Sequence, residues 1–470
     1  MAKRRRTAEL LARIERIAFP GETARQLLAY QANLEASQWW PASRHLEFQT
    51  AQLGNLLAHA YRQVPYYRKL LDSVRLKPGS PVDWNRWREL PLLTRDHLQD
   101  GGAALHAREL PPGQQEIDRL RSSGSTGRAV EVITTNFNDL WQKTLTLRTQ
   151  IWAGRDFART MGVIRKLPPG EAPPPNGDVI EHWGDATTFP FLTGACVRLS
   201  ATAEIGAQMA WIGRRLPDYL TSYPSILREL AASPPPEING PYSVKGASAL
   251  GETVDQELRD LVAQNWRCRV FDAYSAEEAG CMAIECPEGD GYHVQAEAVL
   301  LEVLNSEGEA CQPGEIGEIV VTPLFNYAMP LLRYAIGDYA EAGGRCGCGR
   351  GLPLLKRILG RQRNMLVLAD GRVYWPTFGT RAFAKIAPIL QQQFHQAESD
   401  RLEVRLVVGA PLAAQQEQAL KDKVQQALPA PFRIDLVYVD EIARNAGGKF
   451  ELFTSAVAAA GHRRSATISA

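Results

Sequence analysis

The chain has 470 residues, 45% hydrophobic and 22% charged, an ordinary globular composition too long for one core, so two or more packed domains are expected. Basic and acidic residues number 53 and 52, which removes the electrostatic ground for nucleic acid or an anionic membrane as the main partner and suits a small neutral or anionic substrate. No stretch nears the roughly 18 uninterrupted apolar residues of a membrane span, and seven cysteines, an odd number gathered late in the chain, argue against a secreted disulfide scaffold and leave metal binding or burial.

The start, MAKRRRTAELLARIERIAF, is basic but runs straight into an amphipathic helical pattern without an apolar signal core or cleavage site, so it reads as mature sequence and a cytoplasmic location is expected. Residues 1–110 form a helical lead-in, with Ala58, His59, Tyr61, Val64 and Tyr67 in a mixed aromatic and charged pattern ahead of LPLLTRDHLQ. From about Arg121 the texture turns to short β-like runs (130–134, 197–199, 270–273, 299–303 and 318–322) separated by helical stretches. LPPGEAPPPNGD, residues 167–178, cannot sustain a helix or a central strand and is expected to be an exposed loop. A second break falls at GRGLPLLKRILGRQRN, after which RLEVRLVVG, AAQQEQALKDKVQQAL and RIDLVYVD read strand, helix, strand. The expected fold is α/β, mixed α+β in detail. A large N-terminal domain of mixed sheets and helices covers 1–359, and a small mobile α+β lid covers 360–470 and carries Lys449.

Between a polar segment and the strand-like AVEVITT lies Arg121-Ser-Ser-Gly-Ser-Thr-Gly-Arg128. Gly124 and Gly127 can take conformations that let successive N–H groups converge on phosphate oxygens. Ser122, Ser123, Ser125 and Thr126 add hydroxyl donors, and Arg128 supplies a countercharge. Taken alone the stretch equally suits a flexible turn, and it lacks the Walker spacing.

Further along the chain stand Tyr274-Ser-Ala-Glu-Glu278, Arg333-Tyr-Ala-Ile-Gly-Asp338, Gly360-Arg361 and Gly447-Gly-Lys449. With the Ser/Gly loop these make five ordered motifs that resemble those of the adenylate-forming superfamily of acyl-CoA synthetases. LLAHAYRQVPYYRKLL, ELPLLTRDHL and NYAMPLLRYAIGD resemble phenylacetate-CoA ligases and their capsule-locus relatives in particular, and the likeness spans roughly residues 45–455.

The resemblance implies ATP-dependent activation of a carboxylic acid as an acyl-adenylate, followed by transfer to the thiol of CoA. Bringing one anion onto the α-phosphorus of another requires cations and oriented donors. By resemblance Glu278 helps hold Mg²⁺ and Tyr274 stacks on adenine. Ser275, Gly251 and Glu252 line the nucleotide site, and Asp338 accepts from the ribose hydroxyls. Arg361 marks the interdomain hinge, and Lys449 bridges carboxylate and α-phosphate before the small domain rotates away. The bland alternatives are a turn aspartate after Gly337 and a solvated surface lysine. Two departures from the family pattern put metal environment and hinge mechanics in question: Ser275 and Glu277 replace the usual glycine and threonine, and Arg363 and Asn364 replace an acidic pair.

Cys286, His293, Cys346 and Cys348 offer three thiols and an imidazole, a complete tetrahedral shell for a structural Zn²⁺, with Cys281 as substitute ligand; relatives in this family carry similar positions. The alternative is buried reduced thiols and a surface histidine. Cys196, Cys268 and Cys311 stand apart as core or surface thiols. The acid is expected near Tyr223-Pro-Ser225, Gly251-Glu252 and Tyr274, with Trp183 and Phe189 as candidate linings for an aromatic acid. Two other functions stay open: transfer of the acyl group to an amine, giving an amide in natural-product or polysaccharide synthesis, and a nucleotide-binding but inactive homologue acting as an assembly partner. A monomer or homodimer is expected.

Overall fold

The computed structural model describes residues 21–79, 81–121, 130–234, 243–289, 291–376, 378–379, 381–445 and 448–458. Residues 1–20 of the lead-in, Ser122, Ser123, Gly124, Ser125, Thr126, Gly127 and Arg128 of the expected phosphate loop, and Gly447 of the lysine motif lie outside them.

The lead-in is helical, with helices at Glu22–Ser37, Ala42–Gln63, Pro65–Ser73, Trp84–Glu89 and Arg95–Gly101. Their starts follow from local chemistry. Pro65 sits where a helix needs no N–H, Asp83 accepts from the backbone of Asn85 and Arg86, and Thr94 closes a capping box with His97. Leu53, Leu56, Leu57 and Ala60, at helical spacing, are buried with Tyr67, Leu71, Trp87 and Leu145 in one apolar cluster.

Strands β1 (Glu116–Arg121) and β2 (Glu131–Thr135) pair antiparallel as a separate ribbon, and the expected phosphate loop joins them. Thr135 then caps the helix Asn136–Trp152 through a capping box with Asn138. The strands β3 (Met161–Arg165), β4 (Asp178–Ile180), β5 (Cys196–Ser200), β6 (Tyr219–Ser222), β7 (Gly246–Ala249) and β8 (Val270–Phe271) form one sheet. Its order is β4-β5-β3-β6-β7-β8, with only β4 antiparallel among the described strands. The proline-rich stretch before β4 is largely exposed, as its composition requires. Ile164, Leu199, Leu220 and Ala247 from the strands are fully buried with Trp211, Leu227, Leu258 and Val262 from the helices Ile205–Arg215, Pro224–Ala232 and Gln256–Trp266. Each such leucine contributes about 1.5–3 kcal/mol on removal from water. From β3 the chain moves outward to β5 and returns on the other side at β6. The crevice beyond the carboxyl ends of β3 and β6 is therefore a topological switch point, where open sheets take ligands.

The next strands are β9 (Ala273–Ala276), β10 (Gly280–Glu285), β11 (Tyr292–Val294), β12 (Val299–Leu304), β13 (Ile316–Pro323), β14 (Tyr334–Ala342) and β15 (Leu354–Arg361). They form a seven-stranded sheet of order β12-β13-β14-β15-β11-β10-β9. Where the sequence suggests a break, residues 354–361 run as continuous strand, because β15 is paired between β14 and β11.

The chain divides into two compact units, residues 1–336 with 340–358, and residues 337–339 with 359–470. β15 passes from one to the other at Ile358–Leu359, and Gly360 within it has φ 94°, a conformation costly for any other residue. The second unit contains the hairpin β16 (Leu366–Val367) and β17 (Val373–Tyr374), then β18 (Ile389–Glu398), β19 (Arg401–Val408), β20 (Arg433–Tyr438) and β21 (Phe453–Ser455) in the order β20-β19-β18-β21. The helix Ala414–Gln426 buries Leu420 and Val424 in a cluster with Phe394, Leu402, Val404 and Leu406. Phe378 stacks on Phe394 at 3.7 Å between ring centroids. Here the strand, helix, strand reading of the sequence holds.

Candidate functional site

Three motifs of the first unit converge beyond the carboxyl ends of its parallel strands. Gly251 follows β7 with φ 72°, and Glu252 then points both carboxylate oxygens at Ser225, accepting from its backbone N–H at 2.8 Å and its hydroxyl at 3.0 Å. Glu252 thus ties the end of β7 to the first turn of the helix that follows β6, where a negative charge is favoured. In the switch-point crevice itself the Tyr223 hydroxyl accepts from the backbone N–H of Lys166 at 3.2 Å.

The aromatic-to-glutamate motif occupies β9 and the turn after it. Tyr274 packs at the edge of the core cluster, Ser275 is exposed, and Glu278 is buried with its Oε1 3.4 Å from Nη1 of Arg95. Gly280, at φ 70°, reverses the chain; a Cβ there would collide with the Gln142 side chain at 1.6 Å. Arg95 carries no assigned role in the sequence reading. Its signal is the capping threonine before it, which makes it the first helical residue.

Asp272, just before β9, is buried. Its carboxylate accepts from the Tyr292 hydroxyl at 2.7 Å, and burial pushes its pKa up to about 6 against the opposing effect of that hydrogen bond. The Glu285 carboxylate accepts from the backbone N–H of Asp272 at 2.9 Å.

Cys286 directly follows β10 and His293 lies on β11, while Cys346 and Cys348 come from the loop between β14 and β15. Their four ligand atoms lie within 4.8 Å of one another. Sγ of Cys286 and Cys346 are 3.7 Å apart, and Sγ of Cys348 is 3.3 Å from Nε2 of His293. A tetrahedral ion with metal–sulfur bonds of ~2.3 Å sets its sulfurs about 3.8 Å apart, so the donor set and spacing fit a metal ion. The Cys348 thiol is held far below the usual range by a hydrogen bond from Cys286, with burial opposing and His293 assisting. Cys281 is not part of this cluster. The alternative of a surface histidine does not hold: His293 is fully buried, edge-on to Trp152.

Trp183 does not line the ligand edge. Its indole N–H donates to the Arg159 carbonyl at 2.8 Å and its ring meets Tyr219, the first residue of β6, which puts it at the amino ends of the strands. Phe189 is partly exposed beside the Lys143 ammonium. A groove of about 770 Å³ lined by Ser43, Leu46, Thr50, Gly54 and Trp84 contains no candidate residue.

In the second unit, the Arg361 guanidinium stands 3.5 Å from the Asp338 carboxylate. Lys449 closes a tight loop: its N–H donates to Oδ1 of Asn445 at 3.1 Å, and its carbonyl accepts from the Asn445 N–H at 2.9 Å. Among the described residues no helix is long and apolar enough to cross a membrane.

Against known proteins, residues 370–456 match the family model of the CapK C-terminal domain. The chain is 27% identical to phenylacetate-coenzyme A ligase of Thermus thermophilus over 85% of its own length and 89% of that protein's. It is 26% identical to the Escherichia coli enzyme of the same name over 69% of this chain and 73% of that one. The fold matches 2-hydroxyisobutyryl-CoA ligase, solved in the postadenylation state with R3-HIB-AMP, at TM-score 0.70 and 17% identity, covering 91% and 93% of the two chains. In sequence the chain is thus similar to phenylacetate-CoA ligases, and its fold is that of a solved CoA ligase. The motifs around Tyr274, Glu278, Asp338 and Arg361 sit on the elements just described, while Arg95 and the Asp272–Tyr292–Glu285 set are contacts that only the folded chain reveals.

Proposed function

We propose that this protein is an AMP-forming ligase that activates a carboxylic acid with ATP and passes the acyl group to the thiol of CoA, as a phenylacetate-CoA ligase does. The observation that carries the reading is the alignment over 85% of this chain with a protein of that name. The placement of Tyr274 and Glu278 around one reversal of the chain and of Asp338 beside Arg361 supports it.

Tyr274 stacks on adenine, Asp338 accepts from the ribose hydroxyls, and Gly251, Glu252 and Ser275 line the nucleotide site. Ser122, Ser123, Gly124, Ser125, Thr126, Gly127 and Arg128 receive the phosphates. Glu278 would help hold Mg²⁺, which when bound would supply charge neutralisation at the phosphates. Arg95, paired with that carboxylate, orients it. Lys449 brings a cation to the reacting carboxylate and α-phosphate, and residues 360–470 turn as a lid about Arg361 between the two half-reactions. Zinc, with its preference for thiolate and imidazole, suits the Cys286, His293, Cys346 and Cys348 set as a structural ion, since four protein ligands leave no position for substrate.

The test is acid-dependent exchange of labelled pyrophosphate into ATP across a library of aromatic and aliphatic acids, followed by mass spectrometry with CoA or amines as acceptor. Exchange with some acid and a CoA thioester product is expected. No exchange across the library would leave an inactive homologue, and an amide product would replace CoA by an amine.

A further inference from the structure

The Cys/His cluster and the nucleotide motif share a single buried hinge point. Cys286 and Glu285 are neighbours, as are His293 and Tyr292, and residues 285 and 292 face each other across the β10–β11 pair. A metal ion bound by Cys286 and His293 would therefore fix both ends of the turn that carries Glu285 and Tyr292. Those two side chains close on Asp272 from two directions. The Tyr292 hydroxyl donates to its carboxylate at 2.7 Å, and the Glu285 carboxylate accepts from its N–H at 2.9 Å. Arg259 completes the ring, donating to Oε1 of Glu285 at 3.0 Å and to the Tyr292 hydroxyl at 3.2 Å. Asp272 is two residues before Tyr274 and six before Glu278, and its Oδ1 accepts from the N–H of Ala273, the first residue of β9.

We infer that Tyr292 and Asp272 are positioning residues through which the metal cluster sets the β9 strand and its turn for nucleotide binding. The inference rests on the reading of Tyr274 and Glu278 as nucleotide-site residues, and adds the route by which a distant metal acts on them. A buried residue held at its carboxylate by Tyr292 and at its N–H by Glu285 has one low-energy placement. Loosening the 286–293 turn frees both partners at once, and β9 with them.

The experiment compares the untreated protein, protein stripped of metal by a chelator, and Tyr292→Phe, which keeps the ring and removes the hydroxyl. Metal content, far-UV circular dichroism, hydrogen exchange of residues 272–278 and ATP affinity by calorimetry are read for each. Tyr292→Phe should keep its metal, exchange faster across 272–278, and bind ATP about five- to tenfold more weakly. Stripping should have the same two effects, and stripping Tyr292→Phe should add less than the sum of the two losses, because both act on the placement of Asp272. In turnover the variant should raise KM for ATP more than it lowers kcat. The inference is overturned if stripping a still-folded protein speeds exchange at 286–293 and 343–351 only, or if the two losses simply add. Exchange at 272–278 decides this even if the untreated protein binds no ATP, a result that would instead count against the ligase reading.

Discussion

The Arg361 guanidinium and the Asp338 carboxylate, contributed by neighbouring strands β15 and β14, form an ion pair at 3.5 Å beside Gly360. Asp338 is 8% exposed, so hydrogen bonds that its carboxylate accepts are shielded from water. Charge-assisted hydrogen bonds to a ribose are worth about 1.5–3 kcal/mol, so Asp338→Ala should raise KM for ATP roughly ten- to a hundredfold in the exchange assay. Arg361→Ala should act more weakly on KM and more on the rate of thioester formation. An unchanged KM for ATP in Asp338→Ala would remove Asp338 from the nucleotide site.

The role proposed for Lys449 would separate the two half-reactions. Its loop is pinned by two hydrogen bonds to Asn445, so the backbone should survive replacement of the side chain. Removing one preorganised charge from a transition state costs about 10²- to 10³-fold in rate. Lys449→Ala should lose that much exchange activity while still converting a synthetic acyl-adenylate to its thioester. Equal loss in both steps would point to a damaged lid and not to a missing cation.

The sequence makes legible what is local. Tyr274, Glu278, Asp338 and Lys449 are found by ordered motifs, and the helix, strand and small-unit readings follow from periodicity and capping. Pairing across long separations is not legible. Glu278 meets Arg95 across 183 positions and Asp272 meets Tyr292 across 20, and no spacing rule connects either pair. Trp183 shows the same limit: the composition of an aromatic residue says nothing about which edge of the sheet it occupies.

Long-range pairing also anchors the helical lead-in. Arg148 is fully buried, with Nη2 3.2 Å from Oε1 of Glu297. Glu297 in turn accepts from the Ser37 hydroxyl at 2.5 Å, and Arg148 donates to the Leu34 carbonyl at 2.8 Å, so the first described helix ends on this pair. Removing one partner strands a buried charge, and Glu297→Ala should lose about 3–5 kcal/mol of unfolding free energy. Removing the exposed Glu22, paired with Arg25, should cost no more than about 1 kcal/mol. Denaturant melts of both variants check the contrast.

The same region should make the protein sensitive to mild acid. His45 is 1% exposed, its ring 5.6 Å from that of Trp40, and among the described residues neither ring nitrogen has a hydrogen-bond partner. Burial holds its pKa below the ordinary 6.5, with the Glu297 charge opposing and Arg148 assisting. A histidine depressed in the folded state takes up its proton more readily when unfolded. Its contribution to stability is therefore complete above about 6.5 and is lost as pH falls through the lower folded value. Over that window the wild type should lose up to about 1.4 kcal/mol more per pH unit than His45→Leu, which cannot titrate and removes an unsatisfied buried group. Above pH 7.5 the two should differ by less than about 1.5 kcal/mol, the size of a tolerated core exchange. Urea melts from pH 7.5 down to 5 measure both. Parallel curves across the whole range would show that His45 contributes nothing to the acid limb.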